Sequence, residues 1–128
     1  MTVKLLVVDD SRAMRAYVCG SLKAALLCDV DEASSGFEAL RLLPRSRYDM
    51  VITDINMPDI NGLELVRFVR GAERNRGIPI IIISTQSSDK DKERALDLGA
   101  TSFIAKPFKP LDIVEIVLSH LIIEESWE

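Results

Sequence analysis

Short, unbroken apolar runs rich in Val and Ile alternate along this chain with segments of helical period. Runs without polar alternation are typical of strands that are buried on both faces, as in a parallel sheet. Four such runs predict strands at residues 3–8, 50–53, 78–83 and 102–105. A fifth and more polar run, residues 29–33, predicts an edge strand.

The segments between these runs carry apolar residues at three- and four-residue steps, which is the spacing of one helix face. Ser11 is a candidate N-cap for the first helix, Pro44 a stop for the second and Gly77 a C-terminal stop for the third. A charged fourth helix is predicted over Asp89–Leu98, and an apolar fifth helix begins near Pro110. Five strand–helix units in alternation predict an α/β fold, a five-stranded parallel sheet with helices on both faces.

Composition excludes several classes of function. The 128 residues, with 48% hydrophobic and 28% charged side chains, suit one globular domain, and the net charge of −4 lacks the basic surface that sequence-independent nucleic-acid binding needs. No apolar run approaches the length of a membrane span, and Cys19 and Cys28 form neither a disulfide framework nor a metal site. We expect one cytoplasmic domain over 1–128, with a core at about 3–121 and a short acidic tail at 122–128, without direct DNA binding or membrane association.

Polar side chains follow four of the apolar runs, where the predicted strands end. In chain order they are Asp9, Asp10, Asp54, Asn56, Ser84 and Lys106. Because ligands of open parallel sheets bind beyond the carboxyl ends of the strands, these side chains are expected to converge at one edge. A single Asp at a strand end is more often a helix cap or turn residue, so only their convergence favours a functional site.

The chemistry of this set favours phosphoryl transfer. Three neighbouring carboxylates repel one another unless a cation joins them, and Mg²⁺ is commonly held by carboxylates, water and phosphate oxygens. Lys106 then remains as a positive charge for an anion. A metal, a lysine and a hydroxyl around one carboxylate suit phosphoryl transfer, with Asp54 as the nucleophile that holds the phosphoryl group as an acyl phosphate.

Five short motifs follow one another in a specific order. They are LVVDDS at 6–11, ITDINMP at 52–58 with Asn61 and Gly62, IIST at 82–85, LGA at 98–100 and KPF at 106–108. Together they resemble the receiver domain of bacterial two-component response regulators, especially the single-domain, chemotaxis-type regulators, over nearly the whole chain. The resemblance implies a flavodoxin-like fold with strand order 2-1-3-4-5.

The resemblance also implies a phosphoacceptor and a metal site. Asp54 would accept a phosphoryl group from a phosphohistidine on a sensor histidine kinase. Asp10 and Asp54 would ligate Mg²⁺ directly, Asp9 through water and Asn56 through its backbone carbonyl. Thr85 stands where the family often has Ala or Gly, which predicts narrower access to Asp54. No separate enzyme activity is implied, only a phosphoacceptor that assists its own phosphorylation and dephosphorylation.

A second group of residues is implied in switching. Lys106 would pair with Asp54 and then with the phosphoryl oxygens, and Ser84 would donate a hydrogen bond to the phosphoryl group. Phe103 would turn inward, so that the surface of the fourth helix, fifth strand and fifth helix binds an output partner. The Lys106–Pro107 bond would be cis, and the protein is expected to be a monomer.

Alternative functions remain open at this point. The chain is consistent with a phosphorelay intermediate that passes phosphate from Asp54 to a histidine phosphotransfer protein, or with the receiver fragment of a larger regulator. A flavodoxin-like redox protein is disfavoured, because Asp9 and Asp10 would repel the FMN phosphate. An aspartyl phosphatase is disfavoured because such enzymes usually place the nucleophile after the first strand.

Overall fold

The protein forms one parallel sheet with helices on both faces, in a computed structural model that describes residues 2–73, 76–84 and 89–121. The strands are β1 (Val3–Val8), β2 (Cys28–Ala33), β3 (Met50–Asp54), β4 (Ile80–Ser84) and β5 (Ser102–Ala105). The helices are α1 (Arg12–Ala25), α2 (Gly36–Leu42), α3 (Gly62–Gly71), α4 (Asp89–Leu98) and α5 (Pro110–Leu121), with a 3₁₀ turn at Leu43–Arg45.

The sheet order is β2-β1-β3-β4-β5, and every pairing is parallel. The α/β class and the strand order are therefore confirmed. No helix in the described ranges is long and apolar enough to cross a membrane. The single-domain boundary stays a prediction, since the proposed tail at 122–128 lies outside the described residues, as does Thr85.

Alternate residues of the inner strands enter two separate cores, because successive strand side chains point to opposite faces. One core joins the sheet to α1 and α5; its buried members include Leu5, Val7, Ile52, Ile81, Val18, Leu22, Ile113 and Val117. The other joins the sheet to α2, α3 and α4; its members include Leu6, Val8, Val51, Ile82, Ala39, Leu65, Val66 and Ala95. Unbroken apolar runs are needed because both faces are buried.

Single residues account for two of the predicted helix boundaries. Ser11 caps α1 as predicted, because its hydroxyl accepts a hydrogen bond from the backbone N–H of Met14 at 3.2 Å. Pro44 ends α2 as predicted, since that helix stops at Leu42 and continues only as the 3₁₀ turn. The Ser11 cap thus starts α1 directly after β1, at the carboxyl edge of the sheet.

Two predicted boundaries are wrong, and β2 and β3 are each one residue longer than expected. The third helix ends at Gly71 and not at Gly77, because after Val69 only Ala72 is apolar before Ile78 and nothing extends the buried face. The fourth strand begins at Ile80 and not at residue 78, because Pro79 has no N–H for the ladder. At its other end this strand includes Ser84.

The outer strand β2 is polar, as predicted for an edge. Asp29 and Asp31 lie 3.7 and 3.6 Å from the ammonium of Lys4 on the neighbouring strand. Glu32 pairs with the guanidinium of Arg15 on α1 at 3.1 Å. The inner elements therefore supply the counter-charges for this strand.

Candidate functional site

Three carboxylates meet at the carboxyl edge of the sheet. Asp9 and Asp10 follow β1 directly, and Asp54 is the last residue of β3. Since β1 and β3 are neighbours, with Val8 opposite Thr53, the register brings the three side chains together. One oxygen from each carboxylate lies within 4.8 Å of the others; Asp9 and Asp54 are buried and Asp10 is exposed. The predicted convergence of these residues is therefore observed.

Lys106 reaches this cluster from the end of β5. Its ammonium lies 3.5 Å from Oδ2 of Asp9 and 3.8 Å from Oδ1 of Asp54, and only 14% of its side chain is exposed. One ammonium beside three carboxylates leaves the site with an excess of negative charge. Such a site attracts a further cation.

The pKa of Asp54 is raised above its usual value of 3.8, first by burial and then by the charge of Asp9. Lys106 and the backbone N–H groups of Asn56 and Ile55 act in the opposite direction. The Ile55 N–H donates to Oδ1 of Asp54 at 2.9 Å. The net effect is a carboxylate that is held in place but is costly to ionise. A cation bound beside it would lower its pKa and favour the ionised form.

Asp9 supplies the observation that fits a metal. Its Oδ1 accepts a hydrogen bond from the Ser11 N–H at 2.8 Å, whereas its buried Oδ2 accepts none from the residues that the structure describes. Buried oxygens normally have a partner, and Lys106 at 3.5 Å supplies charge without a hydrogen bond. A cluster whose ligand atoms are all carboxylate oxygens suits Mg²⁺. The Asp9 oxygen could bind the ion directly or bind one of its water molecules.

Ser84 and Asn56 flank the cluster. Ser84 ends β4 with 1% exposure, and its carbonyl accepts a hydrogen bond from the Lys106 N–H at 2.7 Å. Asn56 is exposed in the loop between β3 and α3. Ser84 thus stands on the strand next to Asp54, and Asn56 lies two residues beyond Asp54.

Phe103 lies apart from the carboxylates. It is half-buried in β5 opposite Ile82, and it packs against the core beneath α2, α3 and α4. The ammonium of Lys92 on α4 lies 5.8 Å from the centre of its ring. The predicted cis bond between Lys106 and Pro107 is present.

Close backbone packing supports the loop after Asp54. The Gly62 N–H donates to the Ile55 carbonyl at 2.9 Å, and a side chain at Gly62 would meet the backbone of Asp54 and Ile55. The carboxylate of Asp59 accepts hydrogen bonds from the N–H groups of Gly36 at 3.2 Å and Phe37 at 2.9 Å. The loop is therefore tied to both α3 and the start of α2.

Sequence reasoning missed three side chains around this site. Arg15 donates from Nη1 to the Asp9 carbonyl at 2.7 Å, Tyr17 donates to the Phe108 carbonyl at 2.7 Å, and Asp59 anchors the β3–α3 loop. Tyr17 has the helical spacing of a core residue but is 37% exposed. No motif marks such contacts, because their partners are backbone groups far away in sequence or on another element.

The strand order and the acidic edge together define a class of protein, the receiver domains of two-component signalling. The family model described as "Response regulator receiver domain" matches residues 5–118, and the chain belongs to that family. Within the family it is a CheY-like signalling switch.

Three proteins illustrate the similarity. The chain is 44% identical to the chemotaxis protein CheY1 of Helicobacter pylori over 109 residues, which cover 84% of this chain and 88% of the relative. The structure of the chemotaxis response regulator CheY4 of Vibrio cholerae matches with a TM-score of 0.89 and 34% identity, covering 94% of this chain and 100% of that one. A magnesium-bound receiver domain of a Pseudomonas aeruginosa sensor histidine kinase matches with a TM-score of 0.86 and 27% identity, covering 94% and 98%.

Proposed function

We propose that Asp54 accepts a phosphoryl group from a phosphohistidine on a sensor histidine kinase, in a reaction that depends on Mg²⁺. The observation that carries this proposal is the cluster of Asp9, Asp10 and Asp54 within 4.8 Å, with Lys106 beside two of them. A buried carboxylate among other carboxylates and one ammonium contributes little to the stability of the fold. Such perturbed groups are common at functional sites, and this one suits a phosphoacceptor. The protein is then a phosphoacceptor that assists its own modification and has no separate substrate.

The transfer exchanges one bond for another. An oxygen of the ionised Asp54 carboxylate forms the new bond to phosphorus as the bond from phosphorus to the kinase histidine breaks. The electron pair of the broken bond stays on the imidazole nitrogen. Lys106 faces the developing negative charge on the phosphoryl oxygens, having left its contacts with Asp9 and Asp54.

The metal site uses the residues that the cluster provides. Asp9, Asp10 and Asp54, with the backbone carbonyl of Asn56, would hold Mg²⁺, and the bound ion supplies positive charge to the phosphoryl oxygens. The buried Oδ2 of Asp9, which accepts no hydrogen bond from the described residues, supports this assignment. In the similar Pseudomonas receiver domain, a magnesium ion is coordinated in the active site cleft.

The modified protein presents a changed surface to an output partner. The phosphoryl oxygens accept hydrogen bonds from Ser84 and from Lys106, whose backbone N–H already binds the Ser84 carbonyl. Movement of Ser84 frees space that Phe103 fills from the neighbouring strand, which alters the face made by α4, β5 and α5. We also propose that the protein is a monomer and that it works in the cytoplasm. The thiols of Cys19 and Cys28 are free, and the cytoplasm is the compartment in which thiols stay reduced.

Intact-protein mass spectrometry after incubation with acetyl phosphate and Mg²⁺ tests the proposal. We expect one added phosphoryl group on the wild type and on Asp97→Asn, a control at an exposed aspartate of α4. Asp54→Asn and a sample with chelator should gain none, and Lys106→Ala should gain it more slowly. A wild type without added mass, or an Asp54→Asn variant with it, would overturn the assignment.

A further inference from the structure

One side chain of α1 holds the segment that carries Lys106. The hydroxyl of Tyr17 donates a hydrogen bond to the carbonyl of Phe108 at 2.7 Å. The two rings also pack, with their centres 5.7 Å apart and an angle of 48° between their planes. Phe108 lies two residues after Lys106, so this contact fixes the chain next to the lysine.

Hydrogen bonds from three elements hold the segment from Lys106 to Lys109. On the β4 side, the Lys106 N–H binds the carbonyl of Ser84 at 2.7 Å. On the α5 side, the Lys109 N–H binds the carboxylate of Asp112 at 2.9 Å. Between these two contacts, the bond from the Tyr17 hydroxyl to the Phe108 carbonyl attaches the middle of the segment to α1.

Folding of the protein does not require the hydrogen bond from the Tyr17 hydroxyl. Tyr17 is 37% exposed, so water can satisfy a free hydroxyl there. Its ring packing with Phe108 would persist without the hydroxyl. The hydrogen bond therefore adds positional control and not burial.

The position of this segment matters because the ammonium of Lys106 must face two carboxylates at once. It lies 3.5 Å from Asp9 and 3.8 Å from Asp54, and the lysine side chain is long and flexible. Displacements of about 1 Å in a supporting segment are enough to loosen a site of this kind. Arg15 of the same helix binds the Asp9 carbonyl at 2.7 Å, so α1 holds the backbone on both sides of the ion pair.

We propose that Tyr17 is a positioning residue for Lys106. Through the carbonyl of Phe108 it keeps the ammonium where it meets the phosphoryl oxygens on Asp54. This inference rests on the proposed function, and it assigns to α1 an influence on the position of Lys106 that is transmitted through the backbone of Phe108.

The first test compares two matched tyrosine variants. Tyr17→Phe keeps the ring and removes the hydroxyl. Tyr48→Phe makes the same change near the amino edge of the sheet, where the hydroxyl donates to Asp31 at 2.6 Å. Both are measured by calorimetry for Mg²⁺ alone and for beryllofluoride, an acyl phosphate mimic, in the presence of Mg²⁺.

We expect Tyr17→Phe to weaken beryllofluoride binding about two- to tenfold, the effect of one neutral hydrogen bond. Its affinity for Mg²⁺ alone should equal that of the wild type, because the carboxylates are untouched. Tyr48→Phe should leave both affinities unchanged. Equal beryllofluoride affinity in Tyr17→Phe and wild type, or an equal loss in Tyr48→Phe, would overturn the inference.

A double-mutant cycle separates positioning from a general structural effect. If Tyr17 acts through Lys106, Tyr17→Phe should have no further effect on beryllofluoride affinity in a Lys106→Ala background. A loss of the same size in both backgrounds would overturn the inference while leaving the proposed function intact. If the wild type binds no beryllofluoride, both the proposed function and this inference are overturned.

Discussion

Asp54 is the residue at which local chemistry and folding stability oppose each other. Burial and the charge of Asp9 raise its pKa, so the folded protein binds a proton there more readily than the unfolded chain does. A carboxyl group of this kind destabilises the fold above its folded pKa, and the penalty is relieved as the pH falls through that value toward 3.8. The folded protein is therefore less stable with Asp54 ionised, which is the form that the proposed phosphoryl transfer requires.

Replacing Asp54 should for this reason stabilise the metal-free protein. In the presence of chelator, we expect Asp54→Asn to have a higher free energy of unfolding than the wild type at neutral pH. The difference should shrink as the pH is lowered toward 3.8, where the wild-type carboxyl becomes protonated.

Urea unfolding at a series of pH values measures this difference. Asp97→Asn, at an exposed position of α4, is the control and should show no comparable gain. A wild type that is more stable than Asp54→Asn at neutral pH without metal would contradict the argument.

At the scale of the elements, the glycines in α1 and at the start of α3 differ in the space that a side chain would have. Gly20 lies exposed inside α1, and a Cβ there would meet nothing within 4 Å. Gly62 is the first residue of α3, where a Cβ would lie 2.9 Å from the Cα of Ile55 and against the backbone of Asp54.

The two Gly→Ala variants should therefore shift stability in opposite directions. Gly20→Ala should raise the free energy of unfolding by about 1 kcal/mol, because alanine is the better helix former. Gly62→Ala should lower it by about 1–3 kcal/mol through overpacking, and should also slow phosphorylation of the adjoining Asp54. Chemical denaturation gives both values, and a Gly62→Ala variant with wild-type stability and phosphorylation rate would refute the packing argument.

Arg70 joins three elements near the amino edge of the sheet, at the end opposite to the acidic cluster. From the end of α3 its guanidinium donates to the carbonyls of Gly99 at 2.8 Å, Ile78 at 2.6 Å and Arg76 at 2.7 Å. The glycine follows α4 with φ +117°, and Ile78 precedes β4. One side chain thus ties the end of α3 to the end of α4 and the approach to β4.

Removing this guanidinium should be costly. Arg70→Met should lower the free energy of unfolding by about 2–3 kcal/mol, because charged hydrogen bonds are lost and carbonyls are left without partners. Arg67→Met, one turn earlier at an exposed position, is the matched control and should change stability by less than about 0.5 kcal/mol. Equal thermal and urea midpoints for the two variants would show that Arg70 has no such role.

At the scale of the whole molecule, metal binding should couple the site to global stability. A ligand that binds only the folded state at 100 times its Kd raises the free energy of unfolding by about 2.7 kcal/mol. We expect this response to Mg²⁺ in the wild type, measured as a shift of the thermal midpoint against KCl of equal ionic strength.

Asp10 provides the sharpest variant for this test. It is the exposed member of the cluster, so Asp10→Asn should leave the metal-free stability nearly unchanged and weaken the response to Mg²⁺. A full response in Asp10→Asn would exclude this carboxylate as a ligand.

The alternation of runs was sufficient to predict a parallel α/β sheet, because strands buried on both faces must be unbroken in sequence. The strand order was predicted only from the resemblance to receiver domains. The ends of elements depended on single residues such as Pro79, and on the scarcity of apolar residues after Val69. The carboxylates and Lys106 were predictable because each one stands at the end of a strand. Tyr17 was not, because its partner is a backbone carbonyl on a distant loop, which helical spacing cannot indicate.

The acidic composition of β2 has a consequence for self-association. An outer strand exposes backbone groups that can pair with another copy, and a second molecule approaching this one would bring carboxylates against carboxylates. Asp29, Asp31 and Glu32 take their counter-charges from the inner side of the sheet, from Lys4 and Arg15. Protection against polymerisation through this edge therefore depends on the negative charge of side chains that also hold β2 to its inner neighbours.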